Sequence, residues 1–319
     1  MRAPTGIQFE LTLPTAAGIA RAVVTEVAAG LRAYSVNGID LIETFASAAQ
    51  PPMAAGIVLL PWPNRIRDGR WTHAGVTRQL ALTEPAKHNA IHGLLRFSPY
   101  REVSRGDATV TVAATVFPQS GYPFLLETAV TYELTATGID VTHRVQNVGA
   151  ERAPVAVGAH PYLKIGDVPT ADLVVRVAAD THIDVDDRMN PTGETAVAGT
   201  NFDLRSGVRV GDLHLDDGFS GVIVANERSE HSLTAADGRS VVLWGDENMR
   251  YVQVFTPRIF PVTQGSTDPV RGLAIAIEPM TAPANAFNSG AGLRWVEPGE
   301  SWVIRWGIRH NGFPSVPEA

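Results

Sequence analysis

Thr109-Val-Thr-Val-Ala-Ala-Thr-Val-Phe117 is rich in β-branched residues and partly alternates, the pattern of a strand with one face in a core. Leu126 to Leu134 and Gly138 to Val148 repeat it, with Thr137-Gly138 between them as a turn. Shorter strands are predicted at 173–177, 221–224, 240–244 and 251–255, and Trp302-Val-Ile-Arg-Trp-Gly-Ile-Arg309 closes the chain. Asp68-Gly69 between apolar runs is the strongest short hairpin signal, and His73-Ala-Gly75 reads as a further turn. No segment keeps a 3.6-residue apolar period over three turns, so the crossover helices of a parallel α/β fold are missing. The expected fold is all-β, a large antiparallel β-sandwich. Glycine and proline fall between the strands and never cluster into a linker, and no repeat marks a boundary. Residues 1–319 are therefore expected to form a single β-sandwich domain.

Bulk properties exclude several classes of function. An apolar fraction of 45% with 18% charged residues describes a globular chain able to bury a large core. The net charge of −7 argues against a nucleic-acid or anionic-membrane partner. There is no cysteine, which removes disulfides, thiolate nucleophiles and cysteine-ligated zinc, and fits a reducing compartment. The longest apolar stretch, Met53 to Leu60, is hemmed in by Pro51, Pro52, Pro61 and Pro63 and is too short to span a bilayer. No secretory pattern precedes it, so a cytoplasmic protein is expected.

Two strand-like segments end in titratable side chains. In Leu273-Ala-Ile-Ala-Ile-Glu278 the period of two puts Ala274, Ala276 and Glu278 on one face. In Val155-Ala-Val-Gly-Ala-His160 it groups Ala156, Gly158 and His160. A face of small residues ending in a carboxylate or an imidazole suits the floor of a concave site. Glutamate and histidine are common general bases and acids.

Five motifs surround this pair. Arg65, ahead of the Asp68-Gly69 turn, offers several donors in a fixed fork, useful for sugar hydroxyls; a surface arginine beside a turn is the plainer reading. His88 and His92 have the i, i+4 spacing of a helical metal site, but Asn89 and Gly93 argue against a helix. His92 is then either a ligand contact or a loop histidine. Pro161 ends the pairing just after His160, and Tyr162 lines the same site or packs in the core. His214-Leu-Asp-Asp-Gly-Phe219 carries Asp216 in what reads as turn chemistry. Glu278 is the least ordinary of the five, because a carboxylate closing so apolar a strand is costly unless it is paired.

Together these motifs resemble the aldose 1-epimerase (galactose mutarotase) family. The resemblance rests on Asn64-Arg65-Ile66 with Gly69 and Trp71, on Asn89, His92 and Gly93, and on His160 with Tyr162. It continues through Asp216 with Phe219, through Gln253, Phe255 and Thr256, and through Glu278 with Pro283 and Asn285, for which Asn288 is an alternative. The motifs run in order from about residue 60 to the end of the chain. Leu94 stands where many members have a second glycine, and Trp62-Pro63 replaces a usual tyrosine-alanine; both are expected close to the sugar. The resemblance implies a galactose mutarotase-like supersandwich and anomer interconversion of a free aldohexose. It implies Glu278 as base, His160 as acid, and Arg65, His92, Asp216, Asn64, Gln253 and Tyr162 as substrate-binding residues.

Mutarotation opens a cyclic hemiacetal, allows rotation at the anomeric carbon, and recloses the ring. It needs one proton removed from the anomeric hydroxyl and one delivered to the ring oxygen, with no cofactor and no metal. With ordinary pKa values near 4.3 and 6.5, His160 is expected to need a nearby anion, Glu278 or Asp216, to stay protonated. The expected partner is a small aldose, and the expected state is a monomer or homodimer. Alternatives are a hexose-6-phosphate mutarotase using Arg67, Arg70 and Arg96, a non-catalytic carbohydrate-binding protein, and a metal hydrolase built on His92, His160, Asp216 and Glu278.

Overall fold

The computed structural model describes residues 2–262 and 270–313. Within them, two large antiparallel sheets carry most of the chain, and the one α-helix is the four-residue segment Ala286–Ser289. Ten strands form the first sheet, centred on Leu126–Thr135, Gly138–Asn147, Ser301–Asn311 and Ser240–Asp246. Its alternation is as predicted: Leu126, Val130, Tyr132 and Leu134 are buried, and so are Ile139, Val141 and Val145 on the neighbouring strand. Thr135 pairs with Gly138 across a tight turn, which fixes which face of both strands meets the core.

The second sheet has eight strands, and Tyr251–Phe255 and Ile275–Met280 lie near its middle. All six residues of Ile275–Met280 are buried, because this sheet is covered on both faces. A four-stranded sheet, Gln8–Thr15 to Ile39–Asp40, packs outside these two. One apolar cluster runs from Phe9 to Ile308 and takes side chains from both large sheets. No described helix is long and apolar enough to cross a membrane.

Several expectations need correction. Asp68 and Gly69 do form a turn, both with positive φ, but the strands flanking it do not pair with each other. Arg65–Arg67 pairs with Asn89–Ile91, and Arg70–His73 pairs with Val76–Gln79 across the Ala74-Gly75 turn. The strand holding Glu278 does not end there: Met280 still pairs with Tyr251 and with Gly158, so the carboxylate sits mid-strand. Asp216 lies on the strand Asp216–Val222, opposite Phe255, and not in a turn. The small residues are not the floor of a cavity. A side chain at Gly158 would meet the Cβ of Pro63 at 2.9 Å, Ala156 packs with Ala282 and Ala286, and Ala274 and Ala276 pack with Tyr162 and Phe260. Protein atoms fill the space the small residues leave.

Candidate active site

A cavity of about 280 Å³ opens beside the second sheet, lined among others by Asn64, Arg65, His92, His160, Asp216 and Glu278. That volume is at the small end for ligand sites, which run roughly 300–1,000 Å³. Phe255, Ile91, Met53 and Ala54 supply its apolar wall, and Thr83, Glu84 and Arg96 complete its polar one.

His160 follows the short strand Gly158–Ala159 and precedes Tyr162–Leu163. It falls in the break between two pieces of ladder, so its ring is free of the sheet while its backbone is not: its N–H donates to the carbonyl of Ile57, and its carbonyl accepts from Gly56. Its Nε2 lies 3.3 Å from Oε1 of Glu278, and both side chains are almost wholly buried. Oε2 of Glu278 is buried with no hydrogen-bond partner. Burial pushes the Glu278 carboxyl well above its usual range, Asp216 adds to this, and Arg65 opposes it. Burial likewise pulls the His160 imidazole down to about 3, with Arg96 and Arg65 adding to the fall. The expectation that a neighbouring anion keeps His160 charged is therefore corrected: loss of water outweighs the attraction. Burial thus favours the neutral form of each group.

Facing this pair is a closed ring of hydrogen bonds. Arg65 Nη1 donates to Asn64 Oδ1 at 3.4 Å, and Asn64 Nδ2 donates to Gln253 Oε1 at 3.2 Å. Gln253 Nε2 donates to Asp216 Oδ1 at 2.8 Å, and Arg65 Nη2 lies 3.5 Å from Asp216 Oδ2. Outside the ring, Arg65 makes a two-pronged pair with Glu84, with Nε–Oε2 at 2.9 Å and Nη2–Oε1 at 3.0 Å. Gln253 reaches this ring because it pairs with Gly218 and Glu278 on its two neighbouring strands. It points to the same face as Glu278 but lines a smaller recess beside the main cavity.

His92 has a left-handed backbone, and its N–H donates to the carbonyl of Asn64. Its ring lies 5.4 Å from that of His160. Burial pulls its pKa well below the usual value, and His160 and Arg96 add to this, so it is a neutral donor or acceptor with Nδ1 buried and unpartnered. Gly93 beside it has φ +74, and a Cβ there would come within 2.0 Å of the Leu60 carbonyl oxygen. Only glycine fits that approach.

Other expected residues fall elsewhere. Tyr162 is behind the site, not in it: its ring stacks on His160 at 5.2 Å, and its hydroxyl donates to the carbonyl of Met53 at 3.1 Å. Trp62 and Leu94 do not line the cavity. Trp62 is buried against Phe287, and Leu94 packs on the main core. Arg67 pairs with Asp186 and Arg70 with Gln79, so of the three arginines considered for a phosphate only Arg96 reaches the cavity. His88 is exposed and bound to Asp68. Among the described residues, no three His, Cys, Asp or Glu side chains converge as metal ligands. Asn285, not Asn288, steadies the strand Arg65–Arg67, giving its N–H to the Arg65 carbonyl and accepting that of Arg67. Asn288 in turn bonds the Asn285 side chain.

The residue missed in the sequence is Glu84. Its signal is indirect: an arginine that is buried needs an anion, and Glu84 bridges Asn89, the residue of the histidine motif that also pairs with Arg67.

A sheet-built cavity with a buried carboxylate–imidazole pair on one side and a ring of fixed polar groups on the other can move protons on a small polar ligand held between them. Comparison with known proteins gives the family. The sequence profile described as Aldose 1-epimerase matches residues 13–309, and the chain belongs to that family. It is 32% identical over 291 residues to the uncharacterized protein YihR of Escherichia coli K12, covering 91% of this chain and 90% of that one. Human galactose mutarotase is 32% identical over 169 residues, covering 51% of this chain and 48% of that protein; the match therefore spans about half the length of that relative. Among solved structures, a Caenorhabditis elegans GalM/aldose epimerase homologue superposes with a TM-score of 0.82 at 17% identity, covering 97% and 100% of the two chains. The galactose 1-epimerase of Lactobacillus acidophilus gives a TM-score of 0.74 at 22% identity, covering 95% and 94%. The fold is that of the galactose mutarotase-like proteins, and the chain is an isomerase of this family.

Proposed function

We propose that the protein is an aldose 1-epimerase that interconverts the α and β anomers of a free aldohexose. The observation that carries this reading is the 3.3 Å contact between His160 Nε2 and Glu278 Oε1 inside a cavity of sugar size. Ring opening removes a proton from the C1 hydroxyl and adds one to the ring oxygen, and closure reverses both transfers. A pair holding one proton supplies the two functions at once. In the proposed reaction the entering sugar shifts the shared proton from Glu278 to His160; Glu278 then takes the C1 hydroxyl proton as base, and His160 gives its proton to the ring oxygen as acid. The sugar, placed against both, replaces their mutual contact with its own hydroxyl and ring oxygen. Arg65 favours the ionised carboxylate at that moment, because it already opposes the upward shift of Glu278.

Substrate binding is assigned to Arg65, His92 and Asp216, which line the cavity, with Asn64 also reaching its wall. Gln253 holds Asp216, and Tyr162 backs the His160 ring. The hydrogen-bonded ring fixes these groups before the sugar arrives, which lowers the entropic part of the barrier. The core shared from Phe9 to Ile308 supports treating the chain as one catalytic unit.

Polarimetry on freshly dissolved α-D-glucose and α-D-galactose tests the reading. Acceleration of the approach to anomeric equilibrium is the expected result. Tight binding of the sugar with no acceleration would favour a carbohydrate-binding role instead. One feature favours a phosphorylated hexose: Arg96 lines the cavity and makes no ion pair among the described residues. Rates on free and 6-phosphorylated hexoses separate the two substrates.

A further inference from the structure

We infer that His182, which lies outside the cavity, is a positioning residue for sugar binding, acting through Asp217 on Asp216. The inference rests on the proposed reading of Asp216 as a sugar-binding side chain. His182 is on the strand Ala179–Val185, paired with Phe219 on the strand Asp216–Val222. Its ring is held on both nitrogens: Nδ1 is 3.0 Å from Asp184 Oδ1, and Nε2 is 2.8 Å from Asp217 Oδ1. The Phe202 ring stacks on it at 3.6 Å and 13°, and Phe219 meets its edge. Asp184 is itself fixed, accepting the Thr195 hydroxyl at 2.7 Å.

The far end of this chain of contacts reaches the cavity. Asp217 Oδ2 accepts the backbone N–H of Asp216 at 3.0 Å. Successive side chains of a strand point to opposite faces, so Asp217 faces His182 while Asp216 faces Gln253 and Arg65. The carboxylate of Asp217 therefore sets the peptide plane from which the Asp216 side chain departs. An imidazole bonded at both ends cannot turn, and through it the outer strand fixes an inner carboxylate.

The test uses the full-length protein with His182→Asn and, as an isosteric second variant, Asp217→Asn. Affinity for D-galactose is measured by calorimetric titration, and mutarotation by polarimetry. Loss of the relay should raise Kd and KM about tenfold and leave kcat within about threefold, because Asp216 is assigned to binding and not to proton transfer. In Asp217→Asn the Asp216 amide proton resonance should move upfield as its carboxylate acceptor is lost. Unchanged Kd in either folded variant would overturn the inference, and so would a fall in kcat at constant KM. If the wild-type protein binds galactose but does not speed mutarotation, the proposed function fails, while the Kd comparison still decides the role of His182.

Discussion

Arg65 and Glu84 form a two-pronged ion pair, with both N–O distances at or below 3.0 Å, at the edge of the cavity. The arginine is buried and the glutamate is partly so. Parallel N–H···O bonds of this kind fix the plane of a guanidinium as well as its place. Glu84→Gln keeps the shape but loses the charge. A hydrogen bond to a charged group contributes about 1.5–3 kcal/mol, so KM should rise roughly 10–150-fold, with kcat less affected. Steady-state polarimetry against sugar concentration measures both; a KM equal to wild type would show that Asn64 and Asp216 hold Arg65 without Glu84.

The proposed acid–base pair gives the sharpest loss. Glu278→Gln and His160→Asn are each expected to lower kcat on the order of 10²–10⁴-fold. Both variants should stay folded, since each keeps a polar side chain of similar size in place. Near-normal rates in either, with an unchanged circular dichroism spectrum, would remove that residue from the mechanism.

The pH profile should not show a free histidine. The working form holds one proton on the pair. As pH falls, that form is lost only when His160 takes a further proton, at about 3. As pH rises, it is lost when Glu278 gives up its proton, well above the ordinary carboxylate range. The acid limb of log kcat/KM against pH should therefore show no break near 6.5, the usual histidine value. Activity falling as pH drops through 6.5 would mean that His160 takes up its proton as a water-exposed imidazole does.

Acid should weaken the fold before it reaches the carboxylates. His143 accepts the indole N–H of Trp306 at 2.9 Å, and His231 accepts the backbone N–H of Ala178. Burial lowers their pKa values to about 3 and about 4. Below pH 6.5 the unfolded chain takes up protons that the folded one refuses, so stability is present above 6.5 and falls as pH drops toward those values. Each histidine contributes a slope of up to about 1.4 kcal/mol per pH unit. Urea midpoints at pH 7 and pH 5 measure it; equal midpoints would mean that these imidazoles bind protons without unfolding.

Gly93→Ala should be severe for a single methyl. It combines a left-handed backbone with a Cβ 2.0 Å from the Leu60 carbonyl oxygen. Left-handed strain alone costs roughly 1–2 kcal/mol, and relief of the clash must move either the Leu60 strand or His92. A drop of several degrees in melting temperature together with a rise in KM is expected. Loss of stability with unchanged KM would show that the movement runs away from the cavity.

The sequence carried the sheets and the proposed reacting pair more clearly than it carried the pocket. Alternation along Leu126–Thr135 and Gly138–Asn147 is a local property, and so is the oddity of Glu278 after an apolar run. What surrounds the pair depends on contacts distant in the chain. Glu84 has no motif of its own and becomes meaningful only beside Arg65. The small residues Ala156, Gly158, Ala274 and Ala276 have the right spacing for a floor, but Pro63, Tyr162 and Phe260 occupy that space. Tyr162 and Trp62 sit within a residue or two of site positions, yet strand pleating and a turn send them into the core. Charges near His160 can be guessed from motifs, whereas the depth of burial that lowers its pKa cannot.

Gln253 and Glu278 occupy matched rungs of one ladder, with Val252, Val254 and Ile277 alternating into the core around them. Adding or deleting one residue inside Tyr251–Phe255 would rotate a valine toward Asp216 and push the amide into hydrocarbon. Turns such as Ala74-Gly75 have no such constraint. Descendants of this chain can thus lengthen their hairpins freely, while in the two central strands change must proceed by replacement at constant count.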